Sequence, residues 1–294
     1  MTAKNERRTR STMRRFGFRL VVVAMVLFGG LQVRGYAQAS TIPSAQSASE
    51  GQGDSRGRKL LDQMVTALGG DAWLNRTDWI SNGKGATFYK SQPNPYVSEF
   101  EEYTRAQPFG VRVIIVSKLG VFIPTTKRDV AVVWTADNGY EVTFRGKKEL
   151  PKDEVEDFER RRRHTLDVVV KDWLKQPGVL VTYEGTGLVG RRLADKVSVL
   201  TTGNDAVTIA LDESNHLPLN RTFQWRDATY KDYDTDEEQY DSYQPVQGIM
   251  TPLIITRLHN GDMVSQRYLT KVVYNSKLPA DLFDPDRPLK EKAK

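Results

Sequence analysis

The sequence predicts a mainly β protein with helices, built on a single large antiparallel sheet or open barrel of about eleven or twelve strands. From Trp79 onward, short segments rich in Val, Ile, Thr, Phe and Tyr alternate with Pro, Gly and Asn. Two turn signals, Ala136-Asp137-Asn138-Gly139 and Asn260-Gly261, join neighbouring segments as hairpins. The segments recur at near-regular spacing with one helical interruption, so they read as one sheet rather than two domains.

Taken in order, the chain opens with an export signal. An Arg-rich stretch ending at Arg19 is followed by the uncharged run Leu20 to Leu31 and then by Ala37-Gln38-Ala39, the small-x-small pattern that a signal peptidase reads. As a helix the run spans about 18 Å, short of the ~30 Å hydrocarbon core of a bilayer. Residues 1–39 are therefore expected to be a cleavable signal peptide cut after Ala39, which places the protein in the periplasm. Ser40 to Gly57 is Ser, Gly, Ala and Gln with little to bury, which predicts a disordered linker. An ordered domain is expected over residues 58–288, with residues 289–294 as a disordered basic tail.

Within the domain, Leu60, Leu61, Met64, Val65 and Leu68 recur at one-face helical spacing and Gly69-Gly70 supplies the stop, so residues 58–68 should be an amphipathic helix. Strands are expected at 79–89, 96–105, 111–117, 129–135 and 140–145, then at 179–184, 195–202, 206–212, 219–226, 239–243, 253–258 and 263–274. Between the two groups, 153–175 reads as one long helix closed by Gln176-Pro177-Gly178. Its first half pairs Glu156 with Arg160, Asp157 with Arg161 and Glu159 with Arg163 at i,i+4 spacing. Its second half turns Leu166, Val169, Val170, Trp173 and Leu174 to one side.

Charge excludes one class of partner. Eight of the 43 Lys and Arg and one of the 37 Asp and Glu lie in residues 1–39, which leaves 35 cations against 36 anions in the remainder. A near-neutral body gives no basic face for displacing counterions from nucleic acid. The chain has no Cys, which excludes thiol nucleophiles, cysteine metal sites, disulfides and lipidation at an N-terminal cysteine.

Catalytic and metal chemistry finds no support. His164, His216 and His259 show no H-x-x-x-H or H-x-H spacing, so exposed or capping roles are expected for them and no metal. No G-x-S-x-G elbow occurs. Gly185-Thr186-Gly187-Leu188-Val189-Gly190 satisfies G-x-G-x-x-G, yet no crossover helix can follow before the next strand, so a glycine-rich β-turn is expected there. Asp232, Asp234, Asp236, Glu237, Glu238 and Asp241 begin like a calcium loop, but Glu237 stands where Gly is required and Tyr243 where the bidentate Glu belongs. An exposed acidic hairpin loop is the expectation. No cofactor and no enzyme activity are predicted, since nothing assembles an acid, a base and a nucleophile.

Several longer patterns carry a resemblance: the opening helix ending Ala67-Leu68-Gly69-Gly70; Tyr183 to Gly190 leading into a strand; Leu211-Asp212-Glu213-Ser214-Asn215-His216-Leu217-Pro218; Tyr243 to Pro252; and Tyr274 to Phe283. With these, residues 58–285 resemble the periplasmic outer-membrane lipoprotein-sorting proteins, the LolA/LolB-like superfamily that includes the lipid-binding part of RseB-type regulators. The resemblance implies a strongly curved half-barrel whose concave side, lidded by helices, holds acyl chains. From the residues themselves, Val111, Val113 and Ile115 with Val130, Val132 and Trp134 offer one apolar strand face that two amphipathic helices could close.

The expected function is thus a non-enzymatic periplasmic carrier of a lipid or of lipoprotein acyl chains, acting as a monomer. The ligand-facing side chains are expected to be Val113, Ile115, Val132 and Trp134 on the sheet and Val170, Trp173 and Leu174 on a helical lid hinged at Gln176-Pro177-Gly178. The alternative is an envelope protein–protein interaction or sensor module that docks through the segment Tyr230 to Tyr243 and the cationic run Arg160 to Arg163.

Overall fold

The structure, a computed structural model, describes residues 50–119, 125–227 and 231–289. The expected signal peptide, residues 40–49 of the expected linker and residues 290–294 lie outside the described residues.

Thirteen strands among the described residues form one antiparallel sheet. They are β1 (Asp78–Tyr89), β2 (Gln92–Arg105), β3 (Gly110–Leu119), β4 (Thr125–Trp134), β5 (Gly139–Thr143), β6 (Gly146–Glu149), β7 (Leu180–Val189), β8 (Arg192–Leu200), β9 (Ala206–Asp212), β10 (Pro218–Arg226), β11 (Tyr233–Val246), β12 (Ile249–His259) and β13 (Asp262–Tyr274). Their spatial order is β6-β5-β4-β3-β2-β1-β13-β12-β11-β10-β9-β8-β7, and the outer strands β6 and β7 are not paired to each other. Two runs of consecutive hairpins are joined where β1 meets β13, with Trp79 opposite Tyr274. All twelve expected strands are present. The unexpected one, β6, is Gly-Lys-Lys-Glu, fully exposed and without an apolar residue to announce it.

The helices are α1 (Glu50–Leu68), α2 (Asp71–Leu74), α3 (Lys152–Arg163) and α4 (Leu166–Lys171), with a 3₁₀ turn at Trp173–Lys175 and another at Ala280–Phe283. α1 begins eight residues ahead of the expected start, so 50–57 of the expected linker is helical. It buries Leu60, Leu61, Met64 and Leu68 in one stripe. It stops at Gly69, whose positive φ of 124° no side chain tolerates well and where a Cβ would lie 2.4 Å from the Gly248 carbonyl oxygen in the β11–β12 turn.

The expected single helix over 153–175 is three pieces. At the break, the backbone N–H groups of His164 and Thr165 donate to Arg161 O and Arg162 O, three residues back, which tightens the end of α3. The Thr165 hydroxyl then accepts from Val168 N and caps α4. His164 is buried rather than exposed, stacked on Phe223 with ring centroids 4.0 Å apart.

Helices α1 to α4 lie on one face of the sheet, and the contacts of α3 show how far the sheet curls. Phe158 packs on Trp134 of β4, while Arg160, two residues on, sits over the ring of Trp225 in β10. β4 and β10 are seven places apart in the sheet order, roughly 33 Å across a flat sheet at the usual strand spacing. One helix turn touches both, so the sheet is bent into an open half-barrel with its helices on the concave side.

The main core fills one part of that concavity. Val181, Val197, Val199, Val207, Ile209, Leu211 and Phe223 from β7 to β10 pack against the α1 stripe, Val169 and Trp173. On the outer face the C-terminal segment covers β3 to β5. Ala131, Val133 and Val142 are buried there with Leu289 against them. The buried Arg112 guanidinium donates to the carbonyls of Leu282, Asp284 and Arg287, and Phe283 occupies the space that a Cβ on Gly110 would need.

Candidate functional site

The concave face of β2 to β4 differs from the rest of the fold. Val111 faces Trp134, Val113 faces Val132 and Ile115 faces Val130 across the β3–β4 ladder, and because side chains alternate along a strand these six share one side. All six are only half-buried, whereas their chain neighbours Arg112, Val116, Ala131 and Val133 on the outer face are buried. Apolar side chains normally reach the deepest burial available to them, and here the outer face has it. The result is a row of β-branched side chains and one indole turned inward without solid cover.

α3 lies over one end of this row. Phe158 stacks on Trp134 at 3.9 Å between centroids, and Phe109 lies 6.2 Å from Phe158. None of the α3 side chains is buried. The helix is otherwise attached through ions. Asp157 binds Arg161 and accepts from Arg257 of β12 at 3.5 Å, and Arg257 also donates to Asp236 of β11 at 2.7 Å.

Those charges belong to a band that runs across the middle of the concave face. Arg267 of β13 meets Glu102 of β2 at 2.6 Å and lies over Phe100. Arg221 of β10 donates to the Tyr240 hydroxyl at 3.1 Å and sits 3.5 Å from Glu238. Arg221 is 1% exposed and Asp236 is 0% exposed. Burial pushes the Asp236 carboxyl above its usual range despite Arg257 beside it. Burial acts the same way on Glu238, but the Arg221 charge and the Tyr240 hydroxyl outweigh it and hold that carboxyl low. Burial lowers the Arg161 guanidinium, with Arg257 adding to the effect. A buried band of this kind contributes little net stability when complete, but losing one partner costs about 3–5 kcal/mol.

This overturns the reading of the acidic run as an exposed hairpin loop. Asp234, Asp236 and Glu238 lie on β11 at alternate positions, and cross-strand pairing sets Arg221 and Arg257 on either side of Glu238. The Gly185 to Gly190 segment is likewise mostly strand. β7 runs through it with an irregularity between Tyr183 and Gly185, and only Gly190 lies beyond the strand, in the turn to β8.

The expected site residues fall into two groups that the fold does not bring together. Val113, Ile115, Val132 and Trp134 form the inward row. Trp173 is 5% exposed in the main core beside α1, with Val170 and Leu174 packed against that core. The helix over the row is α3, and Phe158 and Phe100 are the aromatic contacts that the sequence reading passed over. The expected docking run is also engaged internally. Arg160 sits over Trp225, Arg161 binds Asp157, and Arg162 binds Glu159 and lies over Phe109, leaving Arg163 exposed. No helix among the described residues is long and apolar enough to cross a membrane.

Neither a protein-family model nor a curated relative matches the sequence. Solved structures do. A putative outer membrane lipoprotein-sorting protein domain from Vibrio parahaemolyticus matches at 8% identity and a TM-score of 0.51, covering 80% of this chain and all of that one. A DUF1329 family protein from Desulfovibrio piger matches at 11% identity and a TM-score of 0.51, over 79% of this chain and 97% of that one. A LolA superfamily protein from Nitrosomonas europaea matches at 12% identity over 77% of this chain and 96% of that one, with a TM-score of 0.47. At these identities the likeness is one of fold. The chain therefore has the fold of the lipoprotein-sorting protein domain, in agreement with the resemblance carried by its sequence patterns.

Proposed function

We propose that this protein is a non-enzymatic carrier for a hydrophobic ligand, a lipid or the acyl chains of a lipoprotein, exported to the periplasm and acting there as a monomer without a cofactor. The observation that supports it is the half-buried inward row Val111, Val113, Ile115, Val130, Val132 and Trp134, set beside Arg112, Val116, Ala131 and Val133, which are buried on the opposite face of the same strands. Burying an acyl chain yields about 0.8 kcal/mol per methylene, so a dozen methylenes along such a row give roughly 10 kcal/mol gross. That suffices for useful affinity without a charged anchor. The fold shared with the outer membrane lipoprotein-sorting protein domain points the same way.

The decisive experiment is native mass spectrometry of residues 40–294, before and after organic extraction, followed by titration with a fluorescent fatty acid. A mass excess removed by extraction, or saturable uptake of the probe, supports the carrier. A protein that never holds or takes up an acylated molecule sinks it.

A further inference from the structure

The end of the sheet where the apolar row opens is built differently from the rest of the surface. In an antiparallel sheet the β1–β2 and β5–β6 hairpin turns lie at the same end, about 19 Å apart along the sheet at four strand spacings. Each presents a solvent-facing aromatic with a cation over it. Lys90 lies 5.7 Å from the Tyr89 ring, and Arg145 lies 5.2 Å from the Phe144 ring. Tyr89 is 71% exposed, Tyr96 82% and Phe144 80%. The segments 87–97 and 143–148 together hold Lys90, Arg145, Lys147 and Lys148 and no carboxylate.

Three carboxylates approach this sector, of which Glu141 stands opposite Lys148 across the β5–β6 ladder. Asp286 binds Lys147 at 2.6 Å, and Asp262 accepts from the Ser91 hydroxyl at 2.9 Å. Farther round the same end, the β10–β11 connection and the start of β11 carry Asp232 and Asp234. With Arg226 and Lys231 beside them that part of the rim is of mixed charge, and the surplus of cations lies in the β1–β6 sector. Ile115 and Val130 form the rung of the inward row nearest this end.

We infer that the β1–β2 and β5–β6 hairpin turns form a docking surface for an anionic lipid bilayer. Aromatic rings flanked by lysine or arginine suit the headgroup layer, where the ring is half-solvated and the cation meets lipid phosphate. Asp232 and Asp234, farther round the same end, repel lipid phosphate, so contact is made through the β1–β6 sector, beside the Ile115–Val130 rung. The inference deepens the carrier reading by naming where ligand is exchanged, yet its test does not depend on that reading.

The test is co-sedimentation of residues 40–294, which contain every described strand and helix and omit the apolar run Leu20 to Leu31. Vesicles are phosphatidylcholine alone or equal parts phosphatidylcholine and phosphatidylglycerol. Binding to the mixed vesicles only, reduced by salt, is expected. The pair Lys90→Glu with Arg145→Glu should weaken it at least about tenfold, and Tyr89→Ser with Phe144→Ser should weaken it at any salt. Lys175→Glu, away from these turns, should leave it unchanged. All of these side chains are exposed, so the melts should match wild type. Absence of vesicle binding, equal binding to both vesicle types, or binding retained in the hairpin variants overturns the inference. Capture of an acidic protein in place of vesicles does the same. Vesicle binding without fatty-acid uptake would support the docking surface and defeat the carrier.

Discussion

Phe158 lies flat on Trp134, the ring planes 3° from parallel and the centroids 3.9 Å apart, and this contact pins α3 across the mouth of the half-barrel. An aromatic pair of this kind contributes about 0.5–1.5 kcal/mol. The cation contact of Arg160 with Trp225 adds roughly 0.5–1 kcal/mol. α3 is thus held far more lightly than α1, whose four buried apolar side chains contribute about 1.5–3 kcal/mol each. The movable cover is α3.

Phe158→Ala should therefore raise amide exchange across residues 152–163 while protection of the β-sheet stays as in wild type, and global stability should fall by no more than about 2 kcal/mol. A uniform rise in exchange over the sheet would show that α3 is part of the cooperative core instead.

Val132 and Val133 are adjacent in the chain and face opposite sides of β4, one half-buried in the inward row and the other fully buried against the C-terminal segment. Val132→Asp should leave a folded protein whose affinity for a fluorescent fatty acid is at least about tenfold lower. Val133→Asp buries a carboxylate without a partner and should cost several kcal/mol, enough to unfold the domain. Equal destabilisation by both substitutions would mean that the inward row is packed as tightly as the outer face.

Trp173 separates a lid from a core. It lies edge-on to His164, 5.2 Å between centroids, within the cluster that α1 closes. Trp173→Ala should cost about 3–5 kcal/mol, the range for removing a buried indole, with loss of the whole β-sheet signal in one cooperative melt. A variant that melts like wild type but no longer takes up fatty acid would return the 173–175 turn to the role of lid.

The strands were legible because β-branched residues run through 111–116 and 130–133 and the turns at Asn138-Gly139 and Asn260-Gly261 are unambiguous, whereas both faces of those two stretches are apolar apart from Arg112. The long helix was misread at its middle. The apolar spacing of Leu166 to Leu174 continues the helical period, whereas in the structure Thr165 starts a new helix and the residue before it, His164, stacks on Phe223 of β10, a contact no local window contains. Phe158 was hidden by charge. Eight of the nine residues flanking it from Asp153 to Arg162 are ionisable, so a solvated face was the natural reading, although one side of that face meets the sheet. In β11 the alternation was present with the opposite chemistry, carboxylates pointing inward. Their partners Arg221 and Arg257 come from neighbouring strands, and no local window in the sequence contains both halves of such a pair.

His164 gives the fold a pH dependence whose sign can be worked out. Burial pushes the imidazole below its ordinary pKa of 6.5, the bond from the ring to Arg160 O offsetting only part of that. Between the lowered value and 6.5 the native state binds fewer protons than the unfolded chain, so this contribution is complete above 6.5 and is lost as pH falls through the window. Asp236, whose carboxyl burial pushes up, contributes with the opposite sign, its term weakening as pH rises through the raised value. Comparing wild type with His164→Phe removes the Asp236 effect, since both proteins share it. The phenyl ring keeps the stack on Phe223 but gives up the bond to Arg160 O, so at about pH 7.5 the variant should be less stable by ~1 kcal/mol. Towards about pH 5 wild type should lose stability faster and the gap should close. Thermal melts across that range check it, and a gap that stays constant with pH would show that His164 titrates alike in the folded and unfolded states.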